Sequence, residues 1–430
     1  MSVPTLQHSL ADWLSYLENL HHTAIDLGLD RIKTVADRLG LNAWDGVKII
    51  VAGTNGKGST CAMLESIYLA AGYKVGMYTS PHLVYFNERI RINGEYASDE
   101  AIIAKLHQIE QARGEVSLSF FEYTTLVAFL LFKEHGLDVS ILEVGLGGRL
   151  DAVNIVDADC SIVTTVDIDH VDWLGDTREK IGWEKAHVYR SGKPAICSDP
   201  RPPETLVKYA EEIGADLWLF GRDFNYDGDK QQWAFASRIG RKNALAYPAL
   251  RGANQLLNAS AALAAIDALR PLLAVPLQSV REGLLQVSLP GRFQILPGQP
   301  TTIFDVAHNP HAAAVLSHNL QSMSYFPYTY AVLGMLKDKD AEEVIKKFRG
   351  IVDHWYLCDL TGPRGRKAEE LARLIKEHIP QDKDGLPTIT LFPDAVSAFK
   401  AARANAAQED RIVVFGSFLT VAAVLEDMAK

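Results

Sequence analysis

The run VKIIVA (47–52) breaks into Gly53-Thr54-Asn55-Gly56-Lys57-Gly58-Ser59, and STCAMLESIYLAAG then carries a helical apolar pattern. A glycine-rich turn between a buried strand and a helix start presents backbone N–H groups, and the helix dipole adds positive potential there. Such a turn suits phosphate. Lys57 can neutralise β- and γ-phosphate oxygens, and the Ser59 hydroxyl can face a Mg²⁺ ion. The spacing is shorter than GxxxxGK[ST], with an additional glycine between Lys57 and Ser59. A strand-to-helix turn with no ligand is the plain alternative, disfavoured because a lysine, a hydroxyl and this context coincide.

A nucleoside triphosphate comes with a divalent cation, whose ligands gather at the carboxyl ends of parallel strands. Glu143 closes DVSILEV (138–144), Ser80 ends KVGMYTS (74–80) before Pro81, and His170 follows CSIVTTV (160–166) within DIDH. Each has a bland counterpart: a helix cap or a pair with Arg149 for Glu143, a turn residue for Ser80, a core histidine for His170. EVGLGGRLDAVN (143–154) does not fit GxGxxG and reads as a tight backbone passage beside the phosphates. In DTREKIGWEKAHVYRSG, Asp176 and Glu179 resemble an N-cap pair and Gly192 a stop, predicting a helix of about three to four turns. Lys185 would share a face with Ile181, Gly182 and Val188. An amine in apolar surroundings loses proton affinity; a side chain that snorkels to water is the competing reading.

The elements that must position these groups alternate along the chain. Ser9 with Asp12 signals a capped helix carrying Leu10, Trp13, Leu14 and Leu17, and a loop and second helix follow in TAIDLGLDRIKTVADRLG. SDEAIIAKLHQIEQARG and FFEYTTLVAFLLFKEHG predict further helices between strands. This alternation predicts an α/β fold with a parallel sheet covered on both faces. Residues 217–250 change to short strands and turns, a small β excursion. LPGRFQILPGQP (289–300) interrupts the pattern, and IFDVAH, TYAVLGM, HWYLCDL, TITLF and RIVVFGS begin a second α/β series. The domains are therefore placed at 1–290 and 291–430.

Composition narrows the class. With 48% hydrophobic and 22% charged residues, a globular chain of this length buries more than one core. A net charge of −10 disfavours a general nucleic-acid binder. Cys61, Cys160, Cys197 and Cys358 show no metal-ligand spacing and read as thiols in a reducing compartment. Without a signal-like N-terminus or a membrane-length apolar run, the cytoplasm is expected.

VAGTNGKGST, TSPHL with NERIRING, FFEY, LEVGLGGRLDAVN, DHVDWLG, GWEKA, LPGRFQ and FDVAHNPHA together resemble the dihydrofolate synthase/folylpolyglutamate synthase family, a branch of the ATP-dependent Mur ligases. The short phosphate loop is that family's own form. The resemblance implies a two-domain Mur-ligase-like fold: an N-terminal ATP- and pterin-binding domain with a parallel sheet, and a C-terminal Rossmann-like glutamate ligase domain. It implies a carboxylate–amine ligase that phosphorylates a substrate carboxylate with ATP and couples it to L-glutamate.

By the same resemblance Lys57, Glu143, His170 and Lys185 are catalytic, with Lys185 carbamylated. Thr54, Asn55, Gly56, Lys57, Gly58, Ser59, Asn254, Arg292 and Asp305 contact ATP. Ser59, Ser80, Glu143, His170 and the Lys185 carbamate ligate two Mg²⁺ ions, and a monovalent cation is a further candidate. Asp26, Leu27, Gly28, Leu29, Phe121, Glu122, Leu150, Asp151 and Ala152 meet the pterin substrate; His308 and Ser417 lie near glutamate. Dihydropteroate, reduced folate and L-glutamate are the expected substrates of a monomer without nucleic-acid or membrane partners. The alternatives are folylpolyglutamate synthesis alone or a non-ligase P-loop ATPase.

Overall fold

A computed structural model describes residues 3–430 apart from 22, 24, 25, 42, 43, 230 and 380–387. Residues 24 and 25 belong to the loop expected before the second helix, so that part of the expectation lies outside the described residues. The chain divides into two compact units. One comprises Met1–His82, Phe86–Ala249 and Leu256–Val287; the other comprises Leu83–Tyr85, Leu250–Gln255 and Ser288–Lys430.

The first unit is built on β1 (Val47–Ala52), β2 (Val75–Tyr78), β3 (Ile90–Ile92), β4 (Glu95–Tyr96), β5 (Val139–Glu143), β6 (Cys160–Val163), β7 (Pro194–Cys197) and β8 (Asp216–Leu219). They pair in the order β4-β3-β2-β5-β1-β6-β7-β8. Pairing is parallel from β2 to β8 and antiparallel where β3 and β4 are added. The central strands are buried nearly throughout because both faces are covered. Ile50, Ala52, Leu142 and Val163 share a core with Leu126, Val127 and Phe129 of the helix Phe120–His135, while Ile49, Val51 and Ile141 are fully buried on the alternate face.

Helix boundaries follow the local chemistry. Ser9 and Asp12 form a capping box before Leu10–Leu20, which buries Leu10, Trp13, Tyr16 and Leu17, with Leu14 only partly covered. Ser119 and Glu122 form another before Phe120–His135, which ends at Gly136 in a left-handed conformation. The helix Lys57–Ala70 is pinned along its length by Leu277–Gln286: a Cβ on Gly283 would fall 2.5 Å from the Ile67 Cα, and Ser66 Oγ donates to Gly283 O at 2.8 Å.

The helix carrying Lys185 runs over Arg178–Ala186, shorter than expected, because the chain turns at His187. Its N-cap is Thr177 and not Asp176: the Thr177 hydroxyl accepts from Lys180 N. Glu179 instead accepts from the backbone N–H groups of Glu204 and Thr205, satisfying the first turn of the next helix, Glu204–Glu212.

Within the expected β excursion, β8 belongs to the main sheet. β9 (Phe224–Gly228), β10 (Trp233–Ser237) and β11 (Arg241–Leu245) form a separate antiparallel sheet. The second unit carries β12 (Gln294–Leu296), β13 (Thr301–Phe304), β14 (Thr329–Leu333), β15 (His354–Cys358), β16 (Thr388–Phe392) and β17 (Arg411–Phe415), ordered β12-β13-β17-β14-β15-β16. All neighbours there are parallel except β12, an added antiparallel edge. No helix among the described residues is long and apolar enough to cross a membrane.

Candidate active site

The parallel register brings the site's parts level. Val51 of β1 stands opposite Glu143 of β5 and Ile162 of β6, and Tyr78 of β2 stands opposite Leu142. The segments leaving these four strands therefore emerge side by side at one end of the sheet. Gly53 (φ 144°) and Gly56 (φ 90°) take backbone conformations that a side chain would strain. Space forbids one too: a Cβ on Gly53 would sit 1.8 Å from Thr164 Oγ1, and on Gly56 2.4 Å from Asn258 Oδ1.

Donors from the sheet anchor the turn. The Thr164 and Thr165 hydroxyls donate to Asn55 O at 2.7 and 3.2 Å, and Thr54 N donates to Thr165 O at 2.6 Å. Thr54 Oγ1 accepts from Asp167 N and donates to Asp167 O. Lys57 Nζ donates to Gly53 O at 3.0 Å and Thr54 O at 3.2 Å. Ser59 is buried in the first helical turn. Thr164, Thr165 and Asn258 are the supports that sequence reasoning missed; the two threonines closing CSIVTT were the available signal.

Lys185 is 4% exposed, so its side chain does not snorkel to water. Nζ donates to Gly53 O at 3.0 Å. Burial, followed by the nearby Lys57 charge, pushes the amine down to about 7, against the pull of Asp169, Asp151 and Glu184. The passage after Glu143 makes this position possible. A Cβ on Gly148 would lie 2.8 Å from Glu184 O and 3.1 Å from Lys185 Cα. The neighbouring Arg149 grips the Glu184 carboxylate with three contacts of 3.0–3.2 Å and lies over the Trp183 ring. That pairing leaves Arg149 engaged with Glu184 and not with Glu143.

Glu143 is buried, and its Oε2 accepts from Ser80 N at 2.9 Å, joining the ends of β5 and β2. His170 is exposed and not a core residue; it has a left-handed backbone (φ 52°) and begins the turn Val171–Leu174, three residues after the Asp167 contact with Thr54. No group of three or more His, Cys, Asp or Glu side chains poised to hold a metal occurs among the described residues. The expected ligand set has only two such side chains, Glu143 and His170, and relies otherwise on hydroxyls and a lysine.

The residues expected at the pterin end have structural partners. Asp151 is buried and accepts from Leu146 N and Val153 N at 2.9 Å; desolvation nevertheless raises its carboxyl to about 6. Leu150 and Ala152 flank it. Phe121 packs where a Cβ on Gly145 would approach its ring to 2.6 Å. Glu122 is buried in the capping box with Ser119 and lies 3.3 Å from Arg31 Nε. Arg31 also reaches the Asp26 carboxylate at 2.9 Å and its carbonyl at 3.0 Å, so it ties the Asp26–Leu29 loop, through Leu27 and Gly28, to Glu122. Sequence reasoning passed over Arg31 because one arginine on a polar helix carries no pattern.

Asn254, Arg292, Asp305, His308 and Ser417 belong to the second unit. Asn254 Nδ2 lies 3.4 Å from His311 Nε2. Asp305 accepts from Phe293 N at 2.9 Å and Ala307 N at 2.8 Å; desolvation raises its carboxyl to about 6 against the pull of Arg292. Arg292 lies over the Phe418 ring. His308 Nδ1 contacts Val306 O, Ser417 caps Phe418–Ala429, and Asn309 caps the helix that begins at Pro310.

Comparison with known proteins gives this arrangement a family. The Mur ligase middle domain matches residues 51–266, and the Mur ligase glutamate ligase domain matches 291–418. The chain is 48% identical over 423 residues to the Escherichia coli K12 dihydrofolate synthase/folylpolyglutamate synthase, covering 98% of this chain and 96% of that one. It is similar to the structure of E. coli FolC in complex with DHPP and ADP, with TM-score 0.93, 47% identity and 99% of each chain covered. It is also similar to a bifunctional folylpolyglutamate synthase/dihydrofolate synthase with Mn, AMPPNP and L-glutamate bound, with TM-score 0.91, 42% identity and 100% of each chain covered. The chain belongs to the dihydrofolate synthase/folylpolyglutamate synthase family of Mur ligases.

Proposed function

We propose that this chain couples L-glutamate to dihydropteroate and to reduced folates at the expense of ATP. The observation that carries this reading is the anchored glycine turn with Lys57 and Lys185 on one carbonyl, beside a buried Glu143 at the next strand end. A site of this kind positions a triphosphate for in-line transfer, which is mostly a matter of orientation and charge stabilisation. A substrate carboxylate oxygen attacks the γ-phosphorus and ADP leaves. The glutamate amine then attacks the carbonyl carbon of the acyl phosphate, and the tetrahedral centre collapses to amide and phosphate with release of a proton. Thr54–Ser59 orient the phosphates, and Lys57 offsets their charge.

The residues present fit a hard divalent cation, since Ser59 and Glu143 are buried oxygen donors. Ser59, Ser80, Glu143 and His170 would hold two Mg²⁺ ions, which supply charge neutralisation at the phosphates. The neutral fraction of Lys185 near pH 7 supports carbamylation: the nitrogen of the neutral amine bonds the carbon of CO₂, one proton is lost, and the neutral side chain becomes an anion suited to orient the cation site.

In this proposal residues 1–290 hold ATP and the pterin substrate, and residues 291–430 complete the ligase. Asp26–Leu29, Phe121, Glu122 and Leu150–Ala152 receive the pterin. Asn254, Arg292 and Asp305 serve ATP, and His308 and Ser417 serve glutamate. The chain acts as a cytoplasmic monomer, with a monovalent cation as an additional ligand.

The test is mass spectrometry of products formed with ATP, Mg²⁺, L-glutamate and either dihydropteroate or tetrahydrofolate. Glutamate addition to both supports the proposal. Addition to tetrahydrofolate alone restricts it to polyglutamylation, and ATP hydrolysis with neither acceptor present overturns it.

A further inference from the structure

The segment after Ser80 contains a hydrogen-bonded pair, the buried Arg89 and the half-buried His82, that the ligase reading leaves unused. Arg89 is 9% exposed, and its guanidinium lies over both the Phe86 and Phe120 rings. Its Nε–H donates to His82 Nδ1 at 2.9 Å. Arginine has no acceptor and keeps its protons. His82 Nδ1 must therefore be the acceptor nitrogen, which leaves the single ring proton on Nε2. The His82 ring is half-buried and meets the Phe86 ring edge-on, so the imidazole is held by a hydrogen bond on one side and an aromatic contact on another. Nε2 makes no hydrogen bond to any other described residue.

The location gives the fixed donor a use. His82 lies two residues beyond Ser80, whose N–H reaches Glu143 at the strand ends where the phosphate turn emerges. Burial has the largest effect on the Arg89 guanidinium; Tyr78 and, less strongly, the Glu143 charge offset it. A neutral N–H can donate to oxygen without repelling a cation.

We propose that His82 donates its Nε2–H hydrogen bond to an oxygen of the reacting carboxyl group, and that Arg89 is the positioning residue that fixes this tautomer. The inference rests on the ligase reading. Charge grows on the carboxyl-derived oxygen when the amine attacks, so a preorganised donor there lowers the barrier to amide formation.

Two isosteric substitutions separate this role from a packing role. The amide of His82→Gln places N–H near the Nε2 position, whereas that of His82→Asn reaches only the Nδ1 position. Single-turnover amide formation in His82→Gln stays within about tenfold of the parent, and in His82→Asn falls by about 10²–10³-fold, the range for loss of one oxyanion donor. KM for ATP is unchanged in both. Retention by Asn with loss by Gln means that His82 serves only to hold Arg89, and overturns the proposal; so does equal loss in both with unchanged thermal stability. Nitrogen-15 NMR of the histidine rings in the full chain gives a second measurement that needs no turnover. It should show His82 Nδ1 unprotonated and Nε2 protonated, with the pattern altered in Arg89→Met. A protonated Nδ1 overturns the tautomer assignment. An inactive parent chain refutes the ligase reading, while the NMR result still decides the tautomer.

Discussion

Lys57 Nζ and Lys185 Nζ donate to the same acceptor, the carbonyl oxygen of Gly53, at 3.0 Å each. Two ammonium groups on one oxygen repel, and the buried one yields: Lys185 is pushed down to about 7 while Lys57 contributes to the push. Burial is the larger cause, and the lysine of the phosphate turn adds to it.

Lys185→Ala should lower turnover by at least about 100-fold, as expected for a group acting on the reacting centre, with nucleotide affinity changed by less than about threefold. Calorimetric titration with ADP and steady-state kinetics check this, and parental turnover would remove the carbamate. Activity of the parent chain should also fall in CO₂-free buffer and return with bicarbonate.

The same amine links stability to pH. Its folded value lies below that of an unfolded lysine, so between about 7 and 10.5 the unfolded chain binds more protons and this site's contribution to stability rises with pH. Below that window the buried charge exerts its full penalty. Urea unfolding in CO₂-free buffer should show Lys185→Met gaining most over the parent at pH 7 and least near pH 10. A constant difference would contradict the shift.

Gly53→Ala should destabilise the fold by about 1–3 kcal/mol through backbone strain and abolish ADP binding. Adding Thr164→Ala removes the atom 1.8 Å from the new Cβ but not the positive φ. The double variant should therefore recover only part of the stability, measured by thermal unfolding.

Glu143→Gln keeps an oxygen for the Ser80 N–H but loses the charge. Stability should stay within about 1 kcal/mol, the net scale of one hydrogen bond. The Mg²⁺ concentration giving half-maximal activity should rise at least tenfold, a 1.4 kcal/mol weakening on the scale of a charge-assisted contact. An unaltered Mg²⁺ titration would remove Glu143 from the metal set.

Glu122 has one role in capping and another proposed at the pterin. Glu122→Gln can still accept from the Ser119 N–H, because glutamine also completes a capping box, whereas Glu122→Ala should cost about 1 kcal/mol. If the carboxylate also serves substrate, both variants should raise KM for dihydropteroate; equal KM values in all three proteins would confine Glu122 to the helix end.

Much of this was legible where local chemistry and tertiary need agree. VKIIVAGTNGKGST announces a strand, a turn and a helix because apolar run, glycines and helix pattern change within a few residues, and all three appear. The weak signals belong to elements defined by pairing. β3, β4 and β12 have two or three residues each, too few for periodicity, and exist because a neighbouring strand offers an edge. Thr177 displaced Asp176 as a cap because the two compete within one residue, which spacing alone does not settle. Asn258 and Arg31 act across long sequence separations on Gly56 and Glu122, a relation created only by folding.

The carbonyls of Gly53, Thr54 and Asn55 are all taken by Lys57, Lys185, Thr164 and Thr165. A planar peptide whose oxygen is tethered has its N–H aimed as well. The amides of Asn55 and Gly56 are thus oriented before any guest arrives, and an incoming anion meets a rigid mould rather than a chain that must reorganise around it. Capture should then proceed at the speed of encounter, leaving slower events to govern the cycle.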